Sequence, residues 1–388
     1  MNEKIYYMSW IIRSKCTALI RNTVFFDSFL GQYNDNPKYV SECLHRQAPE
    51  IKIVWCIGDK CNEKLPDYIK TVQYGSRDYY YYAMNAAVAV DNHMGLRTFG
   101  FKKNYHLIVS SILHKKGQLC ISTWHGTPLK KIGKDQLNRQ VGTYYTATNY
   151  CVAGCTYTAQ YVGEAFFMKE KMRLYGTPRN DLLLGKHNTD ELKRKLNLPL
   201  DRGIVIFAPT FRSSTELSGI KQIKDINVKG LLDALENKFG MPFSFVFRVH
   251  HSILKVLEGD DYLRNKDYFI NGNFGDDMAE YLACADVLIT DYSSSLYDFL
   301  LTEKPCFIYA PDLDNYKTID RGMYVDIYDL PLSISIDSAD LINSIMTFQK
   351  ETYKKDVRRY LAELGNIEDG HASERVVNDI ITHISVSN

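Results

Sequence analysis

Residues 288–300 read LITDYSSSLYDFL, and this stretch decides the fold class of the chain. It opens with apolar residues that predict a buried strand. The apolar residues after the serines recur at helical spacing, and serine is favoured at the N-cap of a helix. A strand that leads through a short turn into a helix is the repeating unit of α/β proteins.

Runs rich in β-branched and aromatic residues recur on both sides of this stretch, with helical patterns between them. The turn-forming sequence GTPRND at 176–181 and the polar stretch after it predict a hinge between two such series. We therefore predict an α/β fold with two doubly wound, Rossmann-like lobes facing each other across a cleft. The lobes are predicted at residues 1–183 and 184–371, with a C-terminal helix at 372–388 packing back on the first. The predicted strands lie at 23–26, 51–56, 107–109, 118–123, 150–152, 203–207, 243–249, 268–270, 287–290 and 306–309.

The composition excludes several classes of protein. The 388 residues are 45% hydrophobic and 24% charged, which is typical of a folded globular protein. A formal net charge of +1 argues against a nucleic-acid partner, because broad nucleic-acid binding needs an excess of Lys and Arg. The sequence contains neither G-x-G-x-x-G nor a P-loop, so nucleotide binding of those two kinds lacks its glycine cradle.

The cysteines and the N-terminus bear on the cellular compartment. Nine irregularly spaced cysteines predict reduced thiols in the cytoplasm rather than a disulfide framework. Cys151 and Cys155 have no second pair at zinc-site spacing, so we predict core thiols there and no metal. The N-terminal apolar stretch is too short and interrupted for a spanning helix. If helical, its aromatic and basic residues would make a weak anchor at a membrane surface.

The first candidate for chemistry is His125, in the sequence STWHGTPLKK at 122–131. It follows an apolar strand, and the Gly126-Thr127-Pro128 turn should expose it at the carboxyl end of the sheet. An imidazole with a pKa near ~6.5 can take a proton from an attacking hydroxyl at neutral pH. We predict that His125 is a general base and that Lys130 attracts phosphate. The alternative is a structural histidine that is hydrogen-bonded in a turn.

The second half of the chain carries polar residues at three further strand ends. Thr210 offers a hydroxyl and Arg212 a planar fork suited to the oxygens of a diphosphate. The alternative there is a plain turn with an exposed arginine. His250 and His251 should face opposite sides of their strand, so we expect only one of them to contact phosphate.

The serines of the opening stretch form the last candidate. Unpaired amide hydrogens at a helix N-terminus bind anions, and the hydroxyls of Ser293 and Ser294 would add donors. Asp298, in the first turn, would either complement the helix dipole or order the loop. Plain helix capping, without any ligand, is the alternative.

Taken in order, these motifs resemble the CDP-glycerol glycerophosphotransferase family of teichoic-acid and capsule polymer synthesis. The resemblance runs from about residue 23 to about residue 380 and also includes FDSFLGQYNDNP at 26–37 and DLDNY followed by Arg321-Gly322. It implies a GT-B fold with an acceptor-side first lobe and a nucleotide-donor second lobe. It also implies that an acceptor hydroxyl attacks the β-phosphorus of CDP-glycerol and that CMP is released.

The resemblance assigns roles to individual residues. It places the base at His125, a second essential histidine at His250, and the diphosphate at Thr210, Arg212, Ser293 and Ser294. One departure is the sequence RVHH at 248–251, where the family commonly has K-x-H-P. Arg248 keeps the charge, but the missing proline puts the family's local turn in question. Further substrate-binding positions are Gly126, Thr127, Lys130, Asp291, Asp298 and Arg321.

The resemblance also sets expectations about ligands and location. The donor is a CDP-activated polyol and the acceptor a lipid-linked glycan or a polyol phosphate. We expect no cofactor, and no tightly bound metal because the sequence shows no chelating carboxylate cluster. The lipid acceptor implies a cytoplasmic protein that is peripheral on the inner face of the plasma membrane. CDP-ribitol as donor, a nucleotide-sugar glycosyltransferase and a catalytically silent scaffold remain alternatives. The sequence leaves open the oligomeric state and the choice between primase, polymerase and capsule enzyme.

Overall fold

The computed structural model describes residues 9, 12–13, 16–29, 31–59, 61, 63–92, 115–136, 148–210, 225–248, 269–272, 277–313 and 322–386. They form two compact units. The first comprises the described residues of Met1–Thr127, Arg139–Asp181 and Asn366–Asn388, and the second those of Pro128–Asn138 and Leu182–Gly365. The chain therefore divides close to the predicted hinge, but Pro128–Asn138 belongs to the second unit although the sequence placed it in the first.

The first unit is built on a parallel sheet of seven strands in the order β3-β2-β1-β4-β5-β6-β7. Parallel strands need crossover connections, and helices provide several of them here. The strands are β1 (Ile20–Asp27), β2 (Lys52–Ile57), β3 (Ile69–Gln73), β4 (Ala86–Asp91), β5 (Leu119–Ser122), β6 (Tyr150–Ala153) and β7 (Met172–Leu174). The helices are α1 (Asp35–Gln47), α2 (Arg77–Asn85) and α3 (Thr156–Ala165), and α4 (Asp181–Leu184) lies where the chain leaves the unit.

Helices cover both faces of this sheet, because successive side chains of its central strands point to opposite sides. Val24 and Phe26 of β1 lie in one apolar cluster with residues of α1 and of the C-terminal helix, whereas Phe25 lies in another with residues of α2. Both clusters are buried. The sheet is therefore doubly wound, with apolar cores on its two sides.

The second unit has a six-stranded parallel sheet in the order β10-β9-β8-β11-β12-β13. Its central strand β8 is buried along its whole length, as expected for a sheet covered on both faces. The strands are β8 (Gly203–Ala208), β9 (Phe243–Phe247), β10 (Phe269–Asn271), β11 (Val287–Thr290), β12 (Cys306–Tyr309) and β13 (Ile334–Ser335). The helices are α5 (Thr189–Lys195), α6 (Val228–Phe239), α7 (Met278–Cys284), α8 (Ser295–Leu300), α9 (Ser338–Thr347) and α10 (Lys350–Glu363).

The C-terminal helix α11 (Ala372–Val386) belongs to the first unit. Val376, Val377, Ile380 and Ile384 on one of its faces are buried in the cluster that contains Val24. This face completes a core that the first half of the chain leaves open.

The predicted fold class is confirmed, because each unit is a doubly wound α/β structure with a parallel sheet. Strands β3, β4, β7 and β13 were not predicted, and the strand predicted at 107–109 lies outside the described residues. Among the residues that the structure describes, no helix combines the length and apolarity needed to span a bilayer.

Candidate active site

Each sheet has a switch point where the strand order reverses, between β1 and β4 in the first unit and between β8 and β11 in the second. In open α/β sheets, ligands bind outside the carboxyl ends of the strands at this point. Asp27 and Asp91 end the two strands of the first switch point, and Thr290 ends β11 at the second. The predicted site residues that the structure describes follow the carboxyl ends of β5, β8 and β11, and β8 and β11 are the two strands of the second switch point.

The loop after β1 is tied to the end of β4 by side-chain hydrogen bonds. Asn92 Nδ2 donates to Ser28 Oγ at 3.0 Å, and the Ser28 hydroxyl donates to Asn34 Oδ1 at 2.7 Å. The backbone N–H of Phe29 donates to Asn92 Oδ1 at 3.2 Å. These bonds hold Phe29 at the switch point, where its ring lies 5.8 Å from that of His125.

His125 follows β5, as predicted, and lies three residues after its last residue, Ser122. Its ring is half-buried and stacks on the indole of Trp124, with the ring centroids 4.0 Å apart. Trp124 has a φ of 52° and Gly126 a φ of 125°, so the turn uses two left-handed residues. The indole N–H of Trp124 donates to the carbonyl oxygen of Gly126 at 2.7 Å, which closes the turn around the imidazole.

Asn36 and Arg179 support this turn from the protein interior. Asn36 Nδ2 donates to the carbonyl oxygens of Thr123 and Trp124 at 2.9 and 2.8 Å. Arg179 Nη1 donates to the carbonyl oxygen of His125 and to Asp35 Oδ2, both at 2.9 Å. The backbone N–H of Arg179 donates to Asn36 Oδ1 at 3.0 Å. Sequence reasoning gave these residues no role, although the motifs that contain them, DNP and GTPRND, were both recognised.

The GTPRND segment is in turn held by the C-terminal part of the chain. Glu368 accepts hydrogen bonds from the N–H of Thr177 at 2.9 Å and from Asn180 Nδ2 at 3.2 Å. Asp181 accepts from the N–H groups of Ala372 and Ser373 at 2.9 and 2.7 Å, and so caps α11. Burial raises the pKa of the Asp181 carboxyl above its usual value, although the bonds from Ser373 and Ala372 oppose this.

Thr127 and Lys130, predicted together as substrate-binding residues, belong to different units. Thr127 Oγ1 accepts a hydrogen bond from the hydroxyl of Thr158, near the start of α3, at 3.1 Å. Lys130 forms an isolated antiparallel bridge with Met323 in the second unit. The next residue donates its backbone N–H to the carbonyl oxygen of Gly322 at 2.9 Å.

The second switch point is closed by a bond between the two strand ends. Both carboxylate oxygens of Asp291, which is fully buried, accept the N–H of Thr210, at 2.8 and 3.0 Å. The Thr210 hydroxyl also donates to Asp291, at 2.6 Å. The hydroxyl that we expected to bind diphosphate thus gives its hydrogen to Asp291 in this structure. The pair instead fixes the main chain after β8 against that after β11.

The serine loop before α8 differs in one respect from the prediction. Ser294 occupies the N-cap position but makes no capping bond with its side chain. The side-chain oxygen of Ser293 instead accepts a hydrogen bond from the backbone N–H of Ser295 at 3.3 Å. It also lies 2.9 Å from the hydroxyl oxygen of Ser295. Ser293 and Ser294 are both half-buried at the strand end, and Asp298 is buried in the first turn.

Three predicted site residues, Arg212, His250 and Arg321, lie outside the described residues. Arg248, before the histidine pair, donates to the carbonyl oxygen of Gly272 at 2.7 Å and lies over the Tyr281 ring at 4.5 Å.

Potential metal ligands are not grouped in the part of the chain that the structure covers. No three His, Cys, Asp or Glu side chains are placed there to share a metal ion. Burial raises the pKa of the Cys151 and Cys155 thiols, which favours their protonated form. Both are buried core thiols.

Comparisons with known proteins identify relatives along the whole chain. A family model described as CDP-Glycerol:Poly(glycerophosphate) glycerophosphotransferase matches residues 7–382. A teichoic acid glycerol-phosphate transferase of Staphylococcus aureus (strain NCTC 8325 / PS 47) is 29% identical over 385 residues, or 93% of each chain. A teichoic acid poly(glycerol phosphate) polymerase of Staphylococcus epidermidis is 27% identical over 380 residues, 92% of this chain. This chain spans only about half of that relative's length, since the match covers 50% of it.

The fold is also found among solved structures. The wall teichoic acid polymerase TagF matches with a TM-score of 0.81 and 25% identity, over 100% of this chain and 95% of that chain. This likeness confirms the predicted GT-B-like fold class.

Proposed function

Since this chain belongs to the CDP-glycerol:poly(glycerophosphate) glycerophosphotransferase family, we propose that it transfers glycerol phosphate from CDP-glycerol to a hydroxyl group. The acceptor is a teichoic-acid-type polymer or its lipid-linked precursor. The acceptor oxygen bonds to the β-phosphorus, the bond from that phosphorus to the bridging oxygen breaks, and CMP leaves with the bridging oxygen.

His125 takes the proton of the acceptor hydroxyl in this proposal. The observation that carries the assignment is the fixed turn around it: the carbonyl oxygens of residues 123–125 accept three hydrogen bonds from Asn36 and Arg179. An imidazole held in one position at the carboxyl edge of the sheet, beside Phe29 of the switch point, can act as a base near neutral pH.

The second unit binds the diphosphate of the donor. Ser293 and Ser294 contribute hydroxyl groups at the end of β11, and Asp291 keeps the neighbouring strand end in place through Thr210. Arg212, His250 and Arg321 add the charge that phosphate needs. Phosphoryl transfer depends mainly on positioning and electrostatic stabilisation, and in this proposal the side chains named above supply both without a bound metal.

The acceptor and the location follow from the same proposal. A lipid-linked acceptor would bring the protein to the cytoplasmic surface of the membrane. The names of the relatives support glycerol phosphate as the transferred group.

The test is CMP release from CDP-glycerol by the full chain, with a synthetic lipid-linked disaccharide as acceptor. His125→Ala should lower the rate by about 10²- to 10⁴-fold, the usual contribution of a general base. His383→Ala is the matched control, because His383 lies on α11 and contacts the carbonyl oxygen of Gly117. A native rate in His125→Ala would contradict the assignment of the base. Release of nucleotide only from CDP-ribitol or from nucleotide sugars would contradict the assignment of the donor.

A further inference from the structure

We propose that Arg179 and Asn36 are positioning residues that set the direction of the His125 imidazole. This inference rests on the proposed role of His125 as the base. It assigns a purpose to two motifs, DNP and GTPRND, whose residues do not themselves take part in the transfer.

The first support is the arrangement of the hydrogen bonds. Three consecutive carbonyl oxygens, those of Thr123, Trp124 and His125, accept hydrogen bonds from the side chains of Asn36 and Arg179. Asn36 and Arg179 are also joined to each other, because the backbone N–H of Arg179 donates to Asn36 Oδ1. A movement of either one therefore moves the backbone on which the imidazole is mounted.

The second support is the backbone conformation. Trp124, directly before His125, has a φ of 52°, and Asp35, which binds Arg179, has a φ of 57°. Residues with a Cβ atom rarely adopt such angles, and they persist only where the surrounding structure imposes them. The Asn36 and Arg179 bonds are among the contacts that hold the turn in this conformation.

The third support is the burial of the charges. Arg179 and Asp35 are each 8% exposed and form an ion pair at 2.9 Å. The same Nη1 atom that binds Asp35 also binds the His125 carbonyl oxygen. Arg179 is thus directed toward the protein interior, and its effect on the reaction passes through His125.

The three residues Arg179, Asn36 and Asp35, which we call the clamp, are themselves held in place by the C-terminal part of the chain. The residues next to Arg179 are held by Glu368 through the N–H of Thr177 and the side chain of Asn180. The C-terminal part of the chain is therefore connected to His125 by hydrogen bonds at both ends of the short main-chain segment 177–180. The connection explains how a turn with two left-handed residues keeps one conformation.

Arg179→Lys tests the proposal with little change in charge. The lysine nitrogen would take the position of the guanidinium carbon, one bond short of Nη1, so it cannot hold both Asp35 and the His125 carbonyl oxygen in the present geometry. We expect kcat to fall about 100-fold, because small displacements of a catalytic group cost about that much. The KM for CDP-glycerol should change by less than about twofold, because the substituted residue does not touch the donor.

Asn36→Ala is the second variant and should change kcat in the same direction. Arg173→Lys is the matched control: Arg173 also forms an ion pair within the first unit, with Asp379, but it is 43% exposed in its side chain. That variant should keep the native kcat and KM.

A spectroscopic measurement separates positioning from a general loss of structure. Proteins labelled with ¹⁵N-histidine should show the His125 imidazole signal, assigned by its loss in His125→Ala, shifted in Arg179→Lys and Asn36→Ala. The other histidine signals should be unchanged, and all signals should be unchanged in Arg173→Lys.

Native kcat in folded Arg179→Lys or Asn36→Ala would overturn the proposal, and so would a His125 signal that neither substitution moves. If Arg179→Lys does not fold, Asn36→Ala decides. If the wild-type protein releases CMP from no donor, the proposed function fails. The imidazole signal then still decides whether Arg179 and Asn36 position His125.

Discussion

The bond between Thr210 and Asp291 gives a prediction whose size follows from the structure. Thr210→Val removes one hydroxyl and keeps the shape of the side chain. Asp291→Asn keeps one oxygen acceptor but replaces the other by an amide nitrogen. That nitrogen would face the backbone N–H of Thr210, which now donates to a carboxylate oxygen at 3.0 Å. The two single variants and the double variant form a complete double-mutant cycle.

The expected magnitude comes from the type and burial of the bond. A hydrogen bond to a charged group contributes about 1.5–3 kcal/mol to stability. Asp291 is fully buried, so water cannot replace the Thr210 hydroxyl once it is removed. We expect Thr210→Val to lower the free energy of unfolding by about 2 kcal/mol. Once Asp291 is uncharged the hydroxyl matters less, so we expect a coupling energy of about 1–2 kcal/mol.

The assay is urea unfolding of the four proteins, followed by far-UV circular dichroism. Hydrogen exchange of peptides covering β8 and β11 gives a local control, because both strand ends should exchange faster in Thr210→Val. A coupling energy below about 0.5 kcal/mol would mean that the effects of the two substitutions on stability simply add. That result would refute the claim that the Thr210 hydroxyl is bonded to a charged Asp291.

Two further predictions concern the first unit. The pKa of Asp181 is raised in the folded protein, so its contribution to stability is fully present below the ordinary aspartate pKa of about 4 and is lost as the pH rises through the raised value. Wild type should therefore lose stability relative to Asp181→Asn as the pH rises above about 4 in urea unfolding, and a difference that stays constant with pH would contradict this. A Cβ at Gly31, where φ is 103°, would lie 2.1 Å from the backbone nitrogen of Gly58, whereas one at Gly75, where φ is 75°, meets nothing within 4 Å. Gly31→Ala should cost more than about 4 kcal/mol and Gly75→Ala about 1–2 kcal/mol in thermal unfolding, and similar losses would contradict the prediction.

Local patterns were sufficient for the features that lie within a few residues of one another. The apolar run of β11 ends where the sequence predicted, and those of β5 and β8 end within one residue of the predicted position; His125, Thr210 and Asp291 follow those ends. The carboxyl ends of parallel strands lie at one edge of a sheet, so these positions could be assigned without coordinates.

Strand β4 shows where local patterns fail. It contains Ala86, Ala87 and Ala89, and alanine favours helices. The segment is nevertheless a strand, because it pairs with β1 on one side and β5 on the other in the middle of the sheet. Tertiary context overrides the intrinsic preference of the residues there.

The clamp around His125 could not be predicted for a different reason. Arg179 contacts Asp35 and Asn36 across 144 and 143 residues of sequence. No spacing rule connects residues so far apart, and each motif by itself reads as a turn. Only the folded chain shows that these turns support the residue to which the sequence assigned the chemistry.

The return of α11 to the first unit has a consequence for how the protein is synthesised. The apolar face that includes Val24 and Phe26 stays partly uncovered until Val376 and Ile380 leave the ribosome. All of the second unit after Leu182 is translated in between, which takes roughly 10–40 s at ~5–20 residues per second. The unit that is translated first is thus completed last, and chaperones that protect nascent chains have that interval in which to bind it.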